Sequence, residues 1–332
     1  MQFGIIGSGS WATALAKILT DNNHRINWWI RNAETINYVQ QRKHNPHYVS
    51  NIHFDNSLLQ LSSSINYVVE QSDVLIIAVP SAYIHSVLTS LNTDAFKNKK
   101  VVSAIKGLLP DSNELLNDYL AKVFAVELKD YFAVLGPCHA EEIAAEKLSY
   151  LTFSGIDETT AQEIAAHFHN DYLNTIVSHD IMGVQYAAAM KNIYALGAGI
   201  AHGLDYGDNF LSVYIANSAN EMVRFVREVR HDENGIGLNY SASAYLGDLL
   251  VTCYSLYSRN RTFGNMIGKG YSVKAAQLEL NMIAEGYNAS RCIHNTNRNL
   301  KVNIPIADCI YQILWEHASA ADGFKKIESL LV

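Results

Sequence analysis

Phe3-Gly4-Ile5-Ile6-Gly7-Ser8-Gly9-Ser10-Trp11-Ala12 is the stretch on which the fold turns. An apolar run long enough for a buried strand, Phe3 to Ile6, meets two glycines and then a helical pattern from Trp11 to Thr20. Gly7 permits a tight turn, Gly9 lets the backbone approach a pyrophosphate, and Ala12 takes the third small position, where helix meets sheet. The strand before and the helix after give the glycines the context of a dinucleotide turn; a plain strand-to-helix turn is the alternative.

Outward from that turn, short apolar runs alternate with helical patterns, as in a parallel sheet with crossover helices. Strands are expected at Ile26 to Ile30, Val74 to Val79, Val101 to Ile105 and Phe132 to Leu135, with Leu151 to Phe153 and Thr175 to Val177 closing the sheet. Their carboxyl ends, where such sheets bind ligands, hold Pro80-Ser81, Lys106-Gly107 and Gly136-Pro137-Cys138-His139. After about His179 the chain becomes rich in Ala and Leu, with helices expected at Ile181 to Ala201, Asn209 to Val229, Ser272 to Ala284 and Ile306 to Ala318. The fold class is therefore α/β: a Rossmann-type doubly wound sheet over residues 1–179, followed by a mainly α-helical, substrate-binding domain over 180–332.

The 332 residues exceed what one hydrophobic core usually sustains, which agrees with two domains. A formal net charge of −7 argues against a nucleic-acid surface, which needs basic patches. Cys138, Cys253, Cys292 and Cys309 lack the paired spacing of a zinc or redox site, so no metal is expected and the reading is a reducing, cytoplasmic location. Neither a signal peptide nor an apolar span of bilayer length is legible.

The second chemical cluster is Gly247-Asp248 followed by Ser258-Arg259-Asn260-Arg261. A guanidinium fork matches phosphate oxygens, and Asp248 and Asn260 can bond to hydroxyls beside it, so the cluster suits a small phosphorylated ligand; a salt-bridged loop is the competing reading. Lys191 interrupts an apolar helix among Ala187, Ala188, Ala189 and Ala195, where burial lowers an ammonium pKa and permits proton exchange near neutrality. Lys106, at a strand mouth beside Gly107, is placed to reach cofactor and substrate. Arg31 stands where an acid usually grips the adenosine ribose, so NADPH is expected to serve at least as well as NADH. Cys138-His139 invites a nucleophile reading, but adjacent side chains rarely aim at each other and no orienting acid is evident.

Taken together, Gly7 to Leu15, Ile105-Lys106-Gly107, Gly136 to Glu142, Met190-Lys191-Asn192, Gly203 to Asn209, Gly247 to Gly264 and Glu285-Gly286 make the chain resemble the bacterial NAD(P)-dependent glycerol-3-phosphate dehydrogenases over essentially its whole length. The resemblance implies an oxidoreductase interconverting dihydroxyacetone phosphate and sn-glycerol 3-phosphate with NADH or NADPH, in service of phospholipid synthesis; the sequence leaves the oligomeric state open, a homodimer being one assembly to test. It implies cofactor contacts from Ser10, Trp11, Arg31, Lys106 and Ala140, completed by Arg259, Ile283 and Glu285. It implies substrate contacts from Lys106, Gly136, Cys138, Lys191, Asp248, Ser258, Arg259 and Asn260, with Lys191 as proton donor and acceptor and Lys106 and Asp248 beside it. The chain departs from the commoner pattern at Ala12, Ile283 and Cys138, where Gly, Val and a Ser or Thr are usual. A thiol is a weak hydrogen-bond partner, which leaves the Cys138 contact open. Two rival readings remain: a related dehydrogenase acting on a hydroxy acid, and a cofactor-binding sensor without turnover.

Overall fold

The structure, a computed structural model, describes residues 1–230, 239–280 and 284–332. The chain divides into two compact units, Met1–Ile105 with Leu115–Ile181, and Lys106–Glu114 with Met182–Val332. The second unit thus takes in a short excursion, Lys106–Glu114, that a single boundary after residue 179 does not separate from the first.

In the first unit the elements run β1 (Phe3–Ile6), α1 (Ser10–Asp21), β2 (Ile26–Trp29), α2 (Ala33–Arg42), β3 (Leu59–Ser62), α3 (Ile65–Glu70), β4 (Val74–Ile77), α4 (Ile84–Leu88) and β5 (Lys100–Ser103). They continue with α5 (Leu116–Phe124), β6 (Tyr131–Leu135), α6 (Ala140–Ala144), β7 (Ser149–Ser154), α7 (Glu158–Ala166) and β8 (Leu173–Ser178). One sheet has the order β3-β2-β1-β4-β5-β6-β7-β8. Every pairing is parallel except β6 with β7. The order reverses at β1, which lies between β2 and β4, so successive crossovers diverge there and leave a crevice beyond the carboxyl end of β1.

Phe-Gly-Ile-Ile in β1 and Val-Leu-Ile-Ile in β4 are buried throughout, because helices cover both faces of the central strands. The edge strand β3 is different. Its Leu-Gln-Leu-Ser alternation is only half-buried, and the sequence reading had no strand there because so short a stretch gives little periodic signal.

The second unit carries α8 (Ile181–Gly203), α9 (Asp208–Val229), α10 (Asp248–Tyr254), α11 (Arg259–Gly268), α12 (Val273–Glu279), α13 (Glu285–Leu300), α14 (Pro305–Trp315) and α15 (Ala320–Glu328), α8 beginning one residue upstream, at the end of the first unit. Residues 191–200 of α8 are all buried, as expected of a helix that is apolar around its circumference. Glycines let α11 lie against it. A Cβ at Gly199 would stand 2.0 Å from the Arg261 carbonyl oxygen, and one at Gly264 would stand 1.9 Å from that of Leu196. One turn further on, Gly203 and Gly268 repeat the arrangement, so the two backbones touch where side chains normally separate helices.

Two expectations change here. The segment from Gly247 to Arg261, for which a salt-bridged loop is the competing reading, forms all of α10 and the first residues of α11, and α13 covers a polar stretch for which no element is expected. The helix expected over Ser272 to Ala284 is observed as Val273–Glu279, and Ile283 lies outside the described residues.

Candidate active site

The glycine turn of the first unit is built from behind. Gly7 has φ +125°, and a Cβ there would stand 2.4 Å from the Ala78 carbonyl oxygen, so only glycine makes this turn without strain. Gly9 is extended and a Cβ on it would meet nothing within 4 Å, so packing makes no demand for glycine there and the space beside it is open. The turn's carbonyls all face the protein: the Trp28 indole donates to Gly7 O at 2.7 Å, the Asn45 amide to Ser8 O at 3.0 Å, and the Thr13 hydroxyl to Gly9 O at 2.9 Å. With its acceptors bound, the turn ends at the start of α1, whose first-turn amides lack helical acceptors and suit a phosphate. These features fit a dinucleotide pyrophosphate. Ser10 is buried within this first turn, while Arg31 is exposed just past β2, next to Asn32, whose side chain caps α2 by accepting from Glu34 N at 2.7 Å.

The Gly136–His139 loop leaves β6 with Gly136 at φ +147°, where a Cβ would stand 2.6 Å from the Tyr150 carbonyl oxygen. The Cys138 thiol donates to that same oxygen at 3.1 Å, so the side chain anchors the loop to β7. Ala140 is buried at the start of α6, a helix too short to carry much macrodipole.

In the second unit the Lys191 ammonium and the Asp248 carboxylate form a close ion pair, both almost wholly buried. Lys191 is therefore not an ammonium isolated among alanines. It has a carboxylate partner from the first turn of α10, which follows a π-helical turn, Ser243–Gly247. The other carboxylate oxygen, Asp248 Oδ2, is buried and accepts no hydrogen bond among the described residues, a costly state that a ligand hydroxyl would relieve.

Beside the pair runs an amide relay. Gly286 N donates to Asn260 Oδ1 at 2.8 Å, Asn260 Nδ2 donates to Asn192 Oδ1 at 2.9 Å, and Asn192 Nδ2 donates to the Lys106 carbonyl at 2.9 Å. A fixed backbone donor at one end and a fixed backbone acceptor at the other dictate the orientation of both amides. The relay ties α13, α11 and α8 to the residue that bears the second lysine. Ser258 caps α11 by accepting from Arg261 N at 3.3 Å, and Arg261 reaches back to the Tyr254 carbonyl at 2.9 Å. Of the two arginines in the motif, Arg261 thus closes the end of α10, and Arg259 occupies the first turn of α11, half-buried; Glu285 stands likewise at the start of α13.

Asn192 is the residue that sequence reasoning underrated. Its signal was present, a polar pair Lys191-Asn192 on a helix otherwise apolar, but only the partners reveal a hub. Cys253 lies near Lys191, yet burial pushes its thiol far up, with the lysine opposing, which makes it no nucleophile.

A sheet whose first turn presents helix-terminal amides to a pyrophosphate, in a chain that also carries a buried amine with its own carboxylate, is the layout of a nicotinamide-dependent dehydrogenase. Two family models account for nearly all of the chain: the N-terminus of NAD-dependent glycerol-3-phosphate dehydrogenase over residues 2–161 and its C-terminus over 180–325. The chain belongs to the NAD-dependent glycerol-3-phosphate dehydrogenase family. It is 32% identical over 324 residues to glycerol-3-phosphate dehydrogenase [NAD(P)+] of Lacticaseibacillus paracasei, covering 96% of this chain and 91% of that one. To the Bacillus subtilis enzyme of the same name it is 33% identical over 316 residues, covering 94% and 89%. The crystal structure of glycerol-3-phosphate dehydrogenase from Coxiella burnetii superposes with a TM-score of 0.90 at 25% identity, covering 98% of each chain. No helix among the described residues is long and apolar enough to cross a membrane.

Proposed function

We propose that this protein catalyses the NAD(P)H-dependent interconversion of dihydroxyacetone phosphate and sn-glycerol 3-phosphate, which feeds phospholipid synthesis. The cofactor is assigned chiefly to residues 1–179, with Arg259, Ile283 and Glu285, and the triose phosphate chiefly to 180–332, with Lys106, Gly136 and Cys138. The observation that carries the reading is the buried Lys191–Asp248 pair with its unsatisfied Oδ2. A reaction that turns a ketone into an alcohol needs one proton delivered to the oxygen, in a place shielded from water.

When bound, the reduced nicotinamide supplies a hydride to the ketone carbon. Lys191 donates the proton from Nζ to the carbonyl oxygen as charge develops there, and takes it back in the reverse direction. Lys106 adds a second positive charge beside that oxygen. Asp248 keeps the Lys191 ammonium in place, and its Oδ2 accepts from the substrate's hydroxyl. Arg259, Ser258 and Asn260, at the start of α11, hold the phosphate, so that binding energy remote from the reacting carbon orients a small ketone. Gly136 and Cys138 belong to the same substrate set, with Cys138 acting through the loop it anchors. On the cofactor side, Gly7, Gly9, Ser10 and Trp11 receive the pyrophosphate, Ala140, Lys106, Arg259, Ile283 and Glu285 contact the remainder, and exposed Arg31 favours a 2′-phosphate. Four buried thiols, none in a disulfide, support a cytoplasmic location.

The test is oxidation of NADPH and of NADH with dihydroxyacetone phosphate and, separately, with keto acids. Turnover with the triose phosphate alone, NADPH serving at least as well as NADH, is the expected result. Turnover with a keto acid instead would make this a hydroxy-acid dehydrogenase, and tight nucleotide binding without turnover would make it a sensor; either overturns the proposal.

A further inference from the structure

We infer that Asn45, outside the glycine turn and far from it in sequence, is a positioning residue for cofactor binding. Its side chain uses every hydrogen-bonding valence it has. Nδ2 donates to Ser8 O at 3.0 Å and to Thr13 Oγ1 at 2.9 Å, while Oδ1 accepts from His47 N at 3.0 Å and Tyr48 N at 3.3 Å. The residue is 1% exposed. Two backbone donors on one side and a backbone acceptor on the other fix the amide in one orientation, since the flipped form would break all three backbone bonds.

The consequence for the turn follows from Thr13. Its hydroxyl has one proton, and that proton goes to Gly9 O at 2.9 Å because the Asn45 amide already supplies a donor to the same oxygen atom. Asn45 therefore holds the Ser8 carbonyl directly, and through the Thr13 hydroxyl it steadies a second donor on the Gly9 carbonyl, which the Thr13 backbone amide also holds at 2.9 Å as the first bond of α1. The Ser8 carbonyl, released from this grip, can rotate toward the open space beside Gly9 and set a negative dipole where a pyrophosphate would lie. The loop that follows α2 thus acts as a clasp on the phosphate-binding turn. Packing alone does not explain why a side chain so deeply buried should be an amide rather than a leucine of similar volume.

The inference rests on reading the glycine turn as the cofactor site, and the experiment separates the two. NADPH affinity is measured by calorimetric titration, with steady-state kinetics and thermal unfolding, for wild type, Asn45→Asp, Thr13→Val and Thr13→Ser. Aspartate keeps the shape and the acceptor side but loses both donors, and valine keeps the volume of threonine without its hydroxyl. Asn45→Asp and Thr13→Val are expected to weaken NADPH binding and raise its KM about tenfold or more, the scale of a lost buried hydrogen bond, with a far smaller change in kcat and in KM for dihydroxyacetone phosphate. Thr13→Ser, which keeps the hydroxyl, should bind nearly as wild type does. If Asn45→Asp does not fold, Thr13→Val against Thr13→Ser decides the matter. Folded variants that bind NADPH as tightly as wild type would overturn the clasp and leave the cofactor reading intact; a wild-type protein that binds neither NADPH nor NADH would overturn both.

Discussion

Lys191 and Asp248 form one unit whose halves fail differently. Lys191→Ala removes the proton donor and is expected to lower kcat by roughly 10²–10⁴-fold while leaving NADPH affinity within about threefold, as steady-state kinetics and titration would measure. Asp248→Asn keeps the shape but strands a buried ammonium, so a loss of about 3–5 kcal/mol in denaturant-derived stability should accompany the loss of turnover. Arg259→Lys keeps the charge and loses the fork; KM for dihydroxyacetone phosphate should rise about tenfold or more with a smaller change in kcat, and an unchanged saturation curve would remove Arg259 from phosphate recognition. At this scale the sequence was informative about residue types and blind to their partners. Lys191 was legible because a cation on an apolar helix is anomalous. Its carboxylate lies 57 positions away, and the relay through Asn192 needs three helices in place before it exists.

Helix α11 brings its first turn to α8 because glycines remove the spacers between them. Gly264→Ala would push a methyl group to 1.9 Å from the Leu196 carbonyl oxygen, and the helices would have to part. Loss of about 3 kcal/mol or more is expected, with activity falling beyond what unfolding explains, since Arg259 and Asn260 ride on the displaced helix. Gly207→Ala is the control: its Cβ would meet nothing within 4 Å, and urea midpoints should place it within about 1 kcal/mol of wild type. Strands with unbroken apolar runs and the long apolar helix were readable in advance because their periodicity is strong. The Gly247–Arg261 region was not, because a capping serine such as Ser258 and a first-turn acid such as Asp248 look like loop polarity until the turns behind them are seen.

Across the second unit, Glu221 of α9 joins three helices. It accepts from Ile306 N at 2.7 Å and Ala307 N at 3.2 Å, capping α14, and from the Tyr194 hydroxyl of α8 at 3.1 Å. Burial outweighs these donors and pushes its carboxyl up from 4.5 to about 7. A carboxyl raised in this way holds its proton in the fold at pH values where the unfolded chain has released it. Its contribution to stability is therefore fullest below about pH 4.5, declines as pH rises toward about 7, and stays flat above. The decline is on the order of 3 kcal/mol, at about 1.4 kcal/mol per pH unit. Urea midpoints at about pH 5 and pH 8 should show this fall in wild type and a flatter profile in Glu221→Gln; equal slopes would remove Glu221 as the source. The overall architecture, a wound sheet and then helices, could be read from composition and period, because both are averages over many residues. The assignment of Lys106–Glu114 to the second unit could not, because it is set by which parts of the backbone lie near one another in the fold and by nothing local.

That excursion bears on how the gene can be divided. Because Lys106–Glu114 leaves and re-enters the first unit's stretch of chain, the helical unit is encoded in two separate pieces, and no single truncation yields it whole. A fragment starting at residue 182 would lack one of the two lysines assigned to the chemistry and the carbonyl that terminates the relay from Gly286. Split-protein complementation with a break after residue 181 would therefore restore turnover only when the upstream fragment donates its own nine-residue insert to the downstream one.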